Sequence, residues 1–167
     1  MDVERRQKII PTSGNALSLS IIIPALDEAE YITATLDRLQ PLRRRGVEVI
    51  VVDGGSSDNT ATLAAERADR VISSPRGRAL QLNAGAAAAR GEILCFLHAD
   101  SGLPEGADGL IVGGLSGSRR SWGRFDVSIA GTHPMLRVIA QMMNWRSRLT
   151  GIATGDQGLF MTRSLFE

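Results

Sequence analysis

The sequence predicts an α/β protein with a doubly wound, mostly parallel β-sheet and helices on both faces. Three short apolar runs, at 17–24, 47–53 and 92–97, are nearly continuous, which is typical of strands that are buried on both faces of a sheet. Strand and helix patterns alternate three times before the last of these runs. Because parallel strands need crossover connections, this alternation predicts right-handed strand–helix–strand units.

The first predicted strand, 17–24, is rich in β-branched residues and ends at a proline. Asp27 and Glu28 follow, at the start of a helix that is predicted to run to about Gln40. Acidic residues in a first helical turn favour the helix dipole, so capping is one interpretation of these two side chains. The arginine-rich segment 41–46 is predicted to be a solvated turn.

The second predicted strand, 47–53, ends in Asp53 and leads into a glycine-rich turn. Ser57 or Asp58 can cap the helix that follows. An acid at the carboxyl end of a strand can hydrogen-bond the edge of a base or a ribose hydroxyl. The sequence therefore predicts a binding role for Asp53, ahead of a short third strand at 70–73.

Two arginines precede the third predicted helix, 79–90, which is rich in alanine. Arg76 and Arg78 lie at its entry, where backbone amides also attract anions, so this segment is a candidate phosphate site. Gly91 is predicted to stop the helix. The apolar strand that follows contains Cys95, whose burial is expected to raise the pKa of its thiol.

Asp100 ends that strand in the motif His98-Ala99-Asp100 and is followed by turn residues. Its carboxylate is expected in the crevice where open α/β sheets bind ligands, on the same rim as Asp53. Mg²⁺ and Mn²⁺ favour carboxylate oxygens together with substrate phosphates, so Asp100 is a candidate metal ligand. The alternative interpretation is that Asp100 is only a turn or cap residue.

The pattern changes after residue 101. A short helix is predicted around 107–115 and a strand over 122–129. Segment 134–149 carries a methionine-rich stripe at helical spacing, which is more often core than anything else. The competing interpretation is an amphipathic helix that meets a membrane surface or a lipid-linked acceptor. A loop with Asp156 and Gln157 then enters a last strand.

Composition and absent motifs exclude several classes of protein. The formal net charge of +1 gives no sign of a nucleic-acid partner. The single cysteine cannot form an internal disulfide, which favours a reducing cytoplasm. Neither a Gly-x-Gly-x-x-Gly turn after the first strand nor a P-loop is present, which argues against a dinucleotide-binding domain and a P-loop enzyme.

Four blocks of this sequence together resemble the family 2 glycosyltransferases, which have the GT-A fold. The blocks occupy residues 20–28, 48–60, 96–100 and 155–160, and their joint order and spacing are specific although each is short. The sequence is most similar to a bacterial subgroup with a histidine in the acidic motif. The resemblance extends over almost the whole chain from residue 18.

This resemblance implies a nucleotide-diphospho-sugar transferase and a role for each matching position. The implied nucleotide-binding residues are Pro24, Ala25, Glu28, Asp53, Arg78, His98 and Asp100. Asp100 would hold Mg²⁺ or Mn²⁺ on the donor diphosphate, helped by Arg76 or Arg78. Asp156 and Gln157 match a loop near the donor sugar and the acceptor.

The resemblance also divides the chain into parts. Residues 1–16 are predicted to be a tail, and 17–167 a single GT-A-like domain. Within that domain 17–101 would form the nucleotide-binding half and 102–167 an incomplete acceptor half. The family's usual catalytic acid is expected beyond Glu167, so we predict C-terminal truncation, with Asp156 as the alternative base.

The sequence leaves three functions open. The first is a metal-assisted, inverting glycosyltransferase that uses a nucleotide-diphosphate sugar and an acceptor, which is lipid-linked in one interpretation. The second is a truncated fragment that binds the donor without turnover, and the third is a nucleotidyltransferase. Because His98 replaces a leading aspartate, metal binding is expected to be weaker than in the usual motif. We expect a cytoplasmic protein, peripheral to the inner membrane face if the amphipathic interpretation holds.

Overall fold

The structure is a computed structural model that describes residues 18–116, 120–129, 131, 133–152 and 157–167. Its strands are β1 (Leu19–Ala25), β2 (Glu48–Asp53), β3 (Arg70–Ser73), β4 (Ile93–Phe96), β5 (Trp122–Gly123) and β6 (Leu159–Thr162). Its helices are α1 (Ile32–Arg43), α2 (Thr60–Ala65), α3 (Arg78–Ala88), α4 (Ala107–Leu115), α5 (Pro134–Thr150) and α6 (Arg163–Phe166). The predicted tail lies outside the described residues.

Within the described residues the strands form one sheet in the order β3-β2-β1-β4-β6-β5. Strands β1 to β4 are parallel, whereas β6 is antiparallel to both β4 and β5. Strand β1 is central, since Ile22 pairs with Ile50 on one side and with Phe96 on the other. This arrangement confirms the predicted doubly wound, mostly parallel α/β fold.

The core lies on both faces of the parallel strands. Ile93 and Cys95 of β4 belong to the apolar cluster that α1 covers, while Leu94 and Phe96 belong to the cluster beneath α3. All four β4 residues are buried, as the apolar run predicts. Burial raises the pKa of the Cys95 thiol to about 12, which confirms the expected direction.

Helix α3 lies unusually close to the sheet. A Cβ added at Gly85 would lie 2.3 Å from Ile22 Cγ2, so only glycine permits this approach. The helix ends at Ala88, so the prediction that Gly91 stops it is wrong. A Cβ at Gly91 would instead lie 2.6 Å from the backbone nitrogen of Ser20, and this close contact explains the glycine.

Helix α1 differs from the prediction at both ends. It begins at Ile32, and Asp27 and Glu28 lie in the preceding loop, so the capping interpretation of these acids is wrong. It also continues through Pro41 to Arg43. Asp27 and Glu28 stay outside the helix because their backbone N–H groups donate to side chains that follow β2.

The predicted strand over 122–129 is present only at Trp122–Gly123. Beyond it the backbone pairs with α5 rather than with a strand. Val127 donates its N–H to Asn144 Oδ1 at 2.8 Å and accepts from Asn144 Nδ2 at 3.0 Å. A helix side chain therefore satisfies the peptide groups that a neighbouring strand would otherwise pair with.

Helix α5 corrects the interpretation of the methionine-rich stripe as core. Its buried residues are Ala140 and Ser147, so the helix packs through small and polar side chains. The large apolar residues face outward, and Trp145 is 68% exposed. The exposed apolar residues of α5 are Met135, Val138, Ile139, Met142, Trp145 and Leu149. Among the described helices, none has the length and hydrophobicity needed to cross a membrane.

Candidate functional site

The candidate site lies at the edge where the parallel strands end. Ala25, the last residue of β1, pairs with Asp53, the last residue of β2. Asp100 follows β4, which runs parallel to β1. Because parallel strands share their carboxyl edge, Asp53 and Asp100 lie on one rim, as the sequence predicts.

The loop after β1 is tied to the loop after β2. Asp27 has a φ of 55°, a left-handed conformation that aspartate tolerates better than most residues. Its carboxylate accepts hydrogen bonds from the backbone N–H (2.7 Å) and the hydroxyl (3.1 Å) of Ser57. Its own N–H donates to Ser56 Oγ at 3.0 Å. The two loops therefore form one connected wall at the rim.

Further bonds extend this wall toward α2. Glu28 donates its N–H to Thr60 Oγ1 at 2.8 Å, and Ala29 donates to Asp58 Oδ2 at 3.1 Å. Asp58 also accepts from the Thr60 backbone at 2.9 Å, but Asn59 is the N-cap of α2 and makes no side-chain cap bond, so the prediction that Ser57 or Asp58 caps this helix is wrong. A hydrogen bond from the Thr60 hydroxyl is the main cause of a lowered Asp58 pKa. These bonds hold Asp58 ionised and fix the position of Glu28.

Asp53 is buried, and its carboxylate shapes the glycine-rich turn behind β2. Its Oδ2 accepts from the N–H groups of Gly55 at 3.1 Å and Ser56 at 3.2 Å. A carboxylate offers about four acceptor positions, so these bonds orient the group and leave capacity for a ligand. Pro24 and Ala25 are also buried, so Ala25 presents mainly backbone to the rim.

Arg78 and His98 meet across the rim. Arg78 Nη1 lies 2.6 Å from His98 Nε2, and Arg78 Nη2 lies 3.3 Å from His98 Nδ1. Because a guanidinium only donates hydrogen bonds, a ring nitrogen of His98 is the acceptor in this contact. The other predicted arginine, Arg76, lies exposed just before α3. The rim therefore carries positive charge beside His98.

Asp100 and Glu28 are neighbouring carboxyl groups at the same rim. Burial raises the pKa of Glu28, the negative charge of Asp100 raises it further, and Arg78 opposes both. Asp100 itself is exposed. Behind it the buried Thr35 hydroxyl donates to the Ala99 carbonyl at 2.6 Å, which fixes the backbone between the motif's two polar residues.

These groups fit a divalent metal whose other ligands come from a substrate. No group of three or more His, Cys, Asp or Glu residues suited to hold a metal occurs in the described part of the chain. Mg²⁺ commonly binds through one or two carboxylates plus substrate phosphates. The open Asp100 carboxylate, with Glu28 near it, fits that kind of site, and the residues do not form an all-protein metal cage.

A largely apolar cavity of about 280 Å³ adjoins this rim on the α3 side. Pro24, Arg78 and His98 line it, together with Phe96 and Met161 from the sheet. Three predicted site residues and an apolar wall therefore share one concavity.

Of the two predicted loop residues before β6, only Gln157 lies within the described residues, and Asp156 lies outside them. Gln157 is almost fully buried, and Phe125 donates its N–H to the Gln157 carbonyl at 2.7 Å. The Ser147 hydroxyl lies 3.3 Å from Gln157 Oε1. Gln157 thus anchors its loop between α5 and residue 125, and its side chain is not presented to solvent.

Glu167, beyond which the usual catalytic acid is expected, does not itself belong to the rim. It is exposed, and it donates its N–H to the Arg163 carbonyl at 3.1 Å. Its carboxylate also faces that residue, with Glu167 Oε1 3.9 Å from Arg163 Nη1. Arg163 in turn donates to the carbonyls of Ala89 and Gly91, which precede β4, whereas Asp100 follows that strand. Glu167 is therefore no substitute for the expected base, and a base further downstream stays a prediction.

Sequence reasoning missed three residues that organise the rim. Thr35 and Gln81 each reach a backbone carbonyl there, and Thr60 joins the two loops. Each is a single polar side chain within a helical segment, a pattern usually explained by solvent exposure. A polar residue on the apolar face of a helix could have identified them, because a buried polar group needs a hydrogen-bond partner.

Comparison with known proteins places these features in a family. The family model described as Glycosyl transferase family 2 matches residues 20–164. An uncharacterized glycosyltransferase of Mycobacterium tuberculosis is 33% identical over 141 residues, covering 78% of this chain and 60% of that protein. A glucosyl-3-phosphoglycerate synthase of Mycolicibacterium paratuberculosis is 34% identical over 93 residues, covering 50% of this chain and 28% of that protein.

Solved structures show the same fold. The M. tuberculosis glucosyl-3-phosphoglycerate synthase matches with a TM-score of 0.65 and 25% identity, covering 89% of this chain and 58% of that one. A Pyrobaculum calidifontis mannosyltransferase, solved with GDP-Man and Mn²⁺, matches with a TM-score of 0.65 and 24% identity. The match covers 90% of this chain and 46% of the mannosyltransferase chain. This chain spans about 60% of the length of the M. tuberculosis relative.

Proposed function

This chain belongs to glycosyl transferase family 2, and we propose that it transfers a sugar from a nucleotide-diphosphate sugar to an acceptor hydroxyl. The observation that carries the proposal is the shared rim. Asp53 ends β2, Arg78 follows β3 and Asp100 follows β4, yet all three lie at the carboxyl edge of the parallel strands. A base contact, a cation for phosphate and a carboxylate for a metal are therefore available side by side.

In this proposal the nucleoside lies between the loops after β1 and β2. Asp53 accepts a hydrogen bond from the base, using acceptor capacity that the turn leaves open. The backbone at Pro24 and Ala25 forms the floor, and Glu28 lines the side that faces Asp100. Because hydrogen bonds join the two loops, the pocket is largely formed before the donor arrives.

Mg²⁺ or Mn²⁺ is the proposed cofactor, with Asp100 as its protein ligand. When bound, the metal supplies Lewis-acid stabilisation of the leaving diphosphate. Arg78 provides a guanidinium that stabilises the same negative charge, and its contact with His98 orients it. The M. tuberculosis synthase named above has been solved with Mn²⁺, UDP and glucosyl-3-phosphoglycerate, which supports a metal-assisted donor site in this family.

We propose an inverting transfer. The acceptor oxygen forms a bond to the anomeric carbon as the bond from that carbon to the diphosphate oxygen breaks. The diphosphate leaves with the electron pair, and a base takes the acceptor's proton. Asp156 is the candidate base on sequence alone. The buried Gln157 supports this loop through its contacts with Ser147 and Phe125.

Separate measurements of binding and turnover test the function. Nucleotide sugars with different bases and sugars are titrated into the chain with Mn²⁺, and release of nucleoside diphosphate is followed with a pool of hydroxyl acceptors. We expect at least one donor to bind, and binding of none would contradict the proposal. Release that Asp156→Asn lowers by about 10²- to 10⁴-fold would identify the base. Binding without release would favour the second candidate, a donor-binding fragment.

The finer proposal is a lipid-linked acceptor, reached from the cytoplasmic face of the membrane. It is supported by the outward apolar face of α5, which includes Met142 and Trp145. The helix carries Arg137, Arg146 and Arg148 and contains no acidic residue. Basic amphipathic helices of this kind bind anionic lipid surfaces, with aromatic residues at the headgroup level.

Vesicle sedimentation tests that contact. We expect the protein to bind vesicles that contain phosphatidylglycerol and to lose most binding in the double variant Met142→Ser, Trp145→Ser. Leu110→Ser is the matched control, because Leu110 is a similarly exposed apolar residue on another helix. Equal binding by the double variant and the control would contradict the α5 contact and leave the donor proposal unaffected.

A further inference from the structure

We propose that Gln81 is a positioning residue that sets the geometry of the nucleoside pocket, an inference that rests on the proposed function. Gln81 lies in the first turns of α3 and is only 4% exposed. Its Nε2 donates to the carbonyl of Ala25 at 2.8 Å and to the carbonyl of Val52 at 2.9 Å. One carboxamide thus joins the ends of β1 and β2.

The two carbonyls that Gln81 contacts lie where β1 and β2 end. The pairing of β1 with β2 ends at Ala25 and Asp53, where the chains leave the sheet for the two loops of the pocket. Beyond that point Gly54 donates its N–H to Ala25 at 2.9 Å. A carboxamide has two N–H donors, so Gln81 can give one hydrogen to each strand. It therefore fixes the separation of the two strands just below the proposed nucleoside site.

The carboxamide has little freedom to move. A Cβ added at Gly54 would lie 2.9 Å from Gln81 Nε2, so the amide packs directly against the turn after Asp53. One turn along α3, Gly85 holds the helix against β1, as described above. The side chain is thus clamped between a close-packed helix and a glycine of the pocket loop.

Gln81 lies beside the diphosphate contacts but serves the other side of the rim. It lies three residues after Arg78, so both side chains project from neighbouring positions at the start of α3. Arg78 contacts His98, while Gln81 reaches the nucleoside side of the rim. Because Gln81 is buried beneath the loops, it acts through the backbone of Ala25 and Val52 and not by touching the ligand.

The test replaces Gln81 by methionine, which keeps the unbranched shape and removes both donors. Gln40→Met is a matched control, because Gln40 Nε2 also donates to two carbonyls, those of Leu36 and Arg67, both at 3.0 Å. Affinities for UDP, GDP, ADP and CDP, and for inorganic pyrophosphate, are measured calorimetrically with Mn²⁺. Thermal unfolding establishes that each variant is folded at the temperature of the titration.

We expect Gln81→Met to bind its preferred nucleoside diphosphate roughly tenfold more weakly, because the ends of β1 and β2 that shape the pocket are no longer held together. Its pyrophosphate affinity should change by less than about twofold, since Arg78 and Asp100 keep their positions. Gln40→Met should change neither affinity. A general loss of stability would lower both affinities or neither, so this split distinguishes positioning from a structural role.

Gly54→Ala approaches the same contact from the other side, because its Cβ would displace the carboxamide. Gly54→Ala should also weaken nucleoside diphosphate binding while leaving pyrophosphate binding nearly unchanged. The double variant with Gln81→Met should bind the nucleoside diphosphate little more weakly than either single variant. Equal nucleoside diphosphate affinity in Gln81→Met and Gln40→Met would overturn the inference alone. Failure of the unmodified chain to bind any of the four nucleoside diphosphates would overturn the proposed function and this inference with it.

Discussion

The two halves of the chain use their side chains in opposite ways. In the parallel half every residue of β1 is buried, and polar side chains such as Thr35 and Gln81 are directed inward to backbone carbonyls at the rim. In the second half β5 has two residues, and α5 directs its largest apolar side chains outward. The first half forms a hydrogen-bonded polar edge over a buried core, whereas the second half leaves large apolar side chains exposed.

The comparison is sharpest at two helical glycines. Gly85 of α3 leaves no room for a Cβ beside Ile22, whereas a Cβ at Gly113 of α4 would meet nothing within 4 Å. We expect Gly85→Ala to lower the free energy of unfolding by about 1–3 kcal/mol through overpacking. Gly113→Ala should raise it by about 0.5–1 kcal/mol, because alanine restricts the unfolded chain and favours helix.

Urea unfolding of the two alanine variants checks this pair. Equal effects would mean that α3 can move away from the sheet without cost, and the distinction between a close-packed and a loosely packed half would then be wrong.

Two threonines give a smaller contrast. Thr35 is buried and donates to the Ala99 carbonyl, while the exposed Thr150 donates to the Arg146 carbonyl at 2.8 Å. Thr35→Val should cost about 1–3 kcal/mol, because a buried carbonyl loses its partner. Thr150→Val should remain within about 0.5 kcal/mol of the parent. Thermal unfolding measures both, and a neutral Thr35→Val would show that the backbone at Asp100 is held by other contacts.

Glu28 is expected to have the smallest effect on stability, and this effect depends on pH. Burial, followed by the charge of Asp100, raises its pKa above the ordinary value of 4.5. Ionisation of Glu28 therefore opposes folding, so its contribution to stability is complete below about pH 4.5 and is lost as pH rises through the folded-state pKa.

Glu28→Gln removes that loss. The free energy of unfolding of the variant should exceed that of the parent by more at pH 7 than at pH 4. The increase should be roughly a few tenths of a kcal/mol, since the group is partly solvated. Unfolding free energies of both proteins at the two pH values provide the measurement. An identical difference at both pH values would contradict the raised pKa of Glu28.

The fold could be predicted because the parallel half obeys simple patterns. Continuous apolar runs locate the buried strands, and acids after those runs place Asp53 and Asp100 on one rim. The sequence left α5 open between a core helix and an amphipathic surface helix, because helical spacing of apolar residues reveals a stripe but not whether the protein core covers it. Gln81 could not be found, since its role depends on the positions of Ala25 and Val52, which only the folded backbone brings together.

The metal dependence of nucleotide binding tests the central claim most directly, namely that the rim of the parallel half is a metal-assisted diphosphate site. Calorimetry compares UDP and GDP binding with Mn²⁺ and with chelator, in the parent, in Asp100→Asn and in a control from the second half, Asp126→Asn. We expect Mn²⁺ to strengthen binding by at least about tenfold in the parent and the control, and to have no effect in Asp100→Asn. Equal affinity with and without Mn²⁺ in the parent, or a full gain retained in Asp100→Asn, would contradict the account.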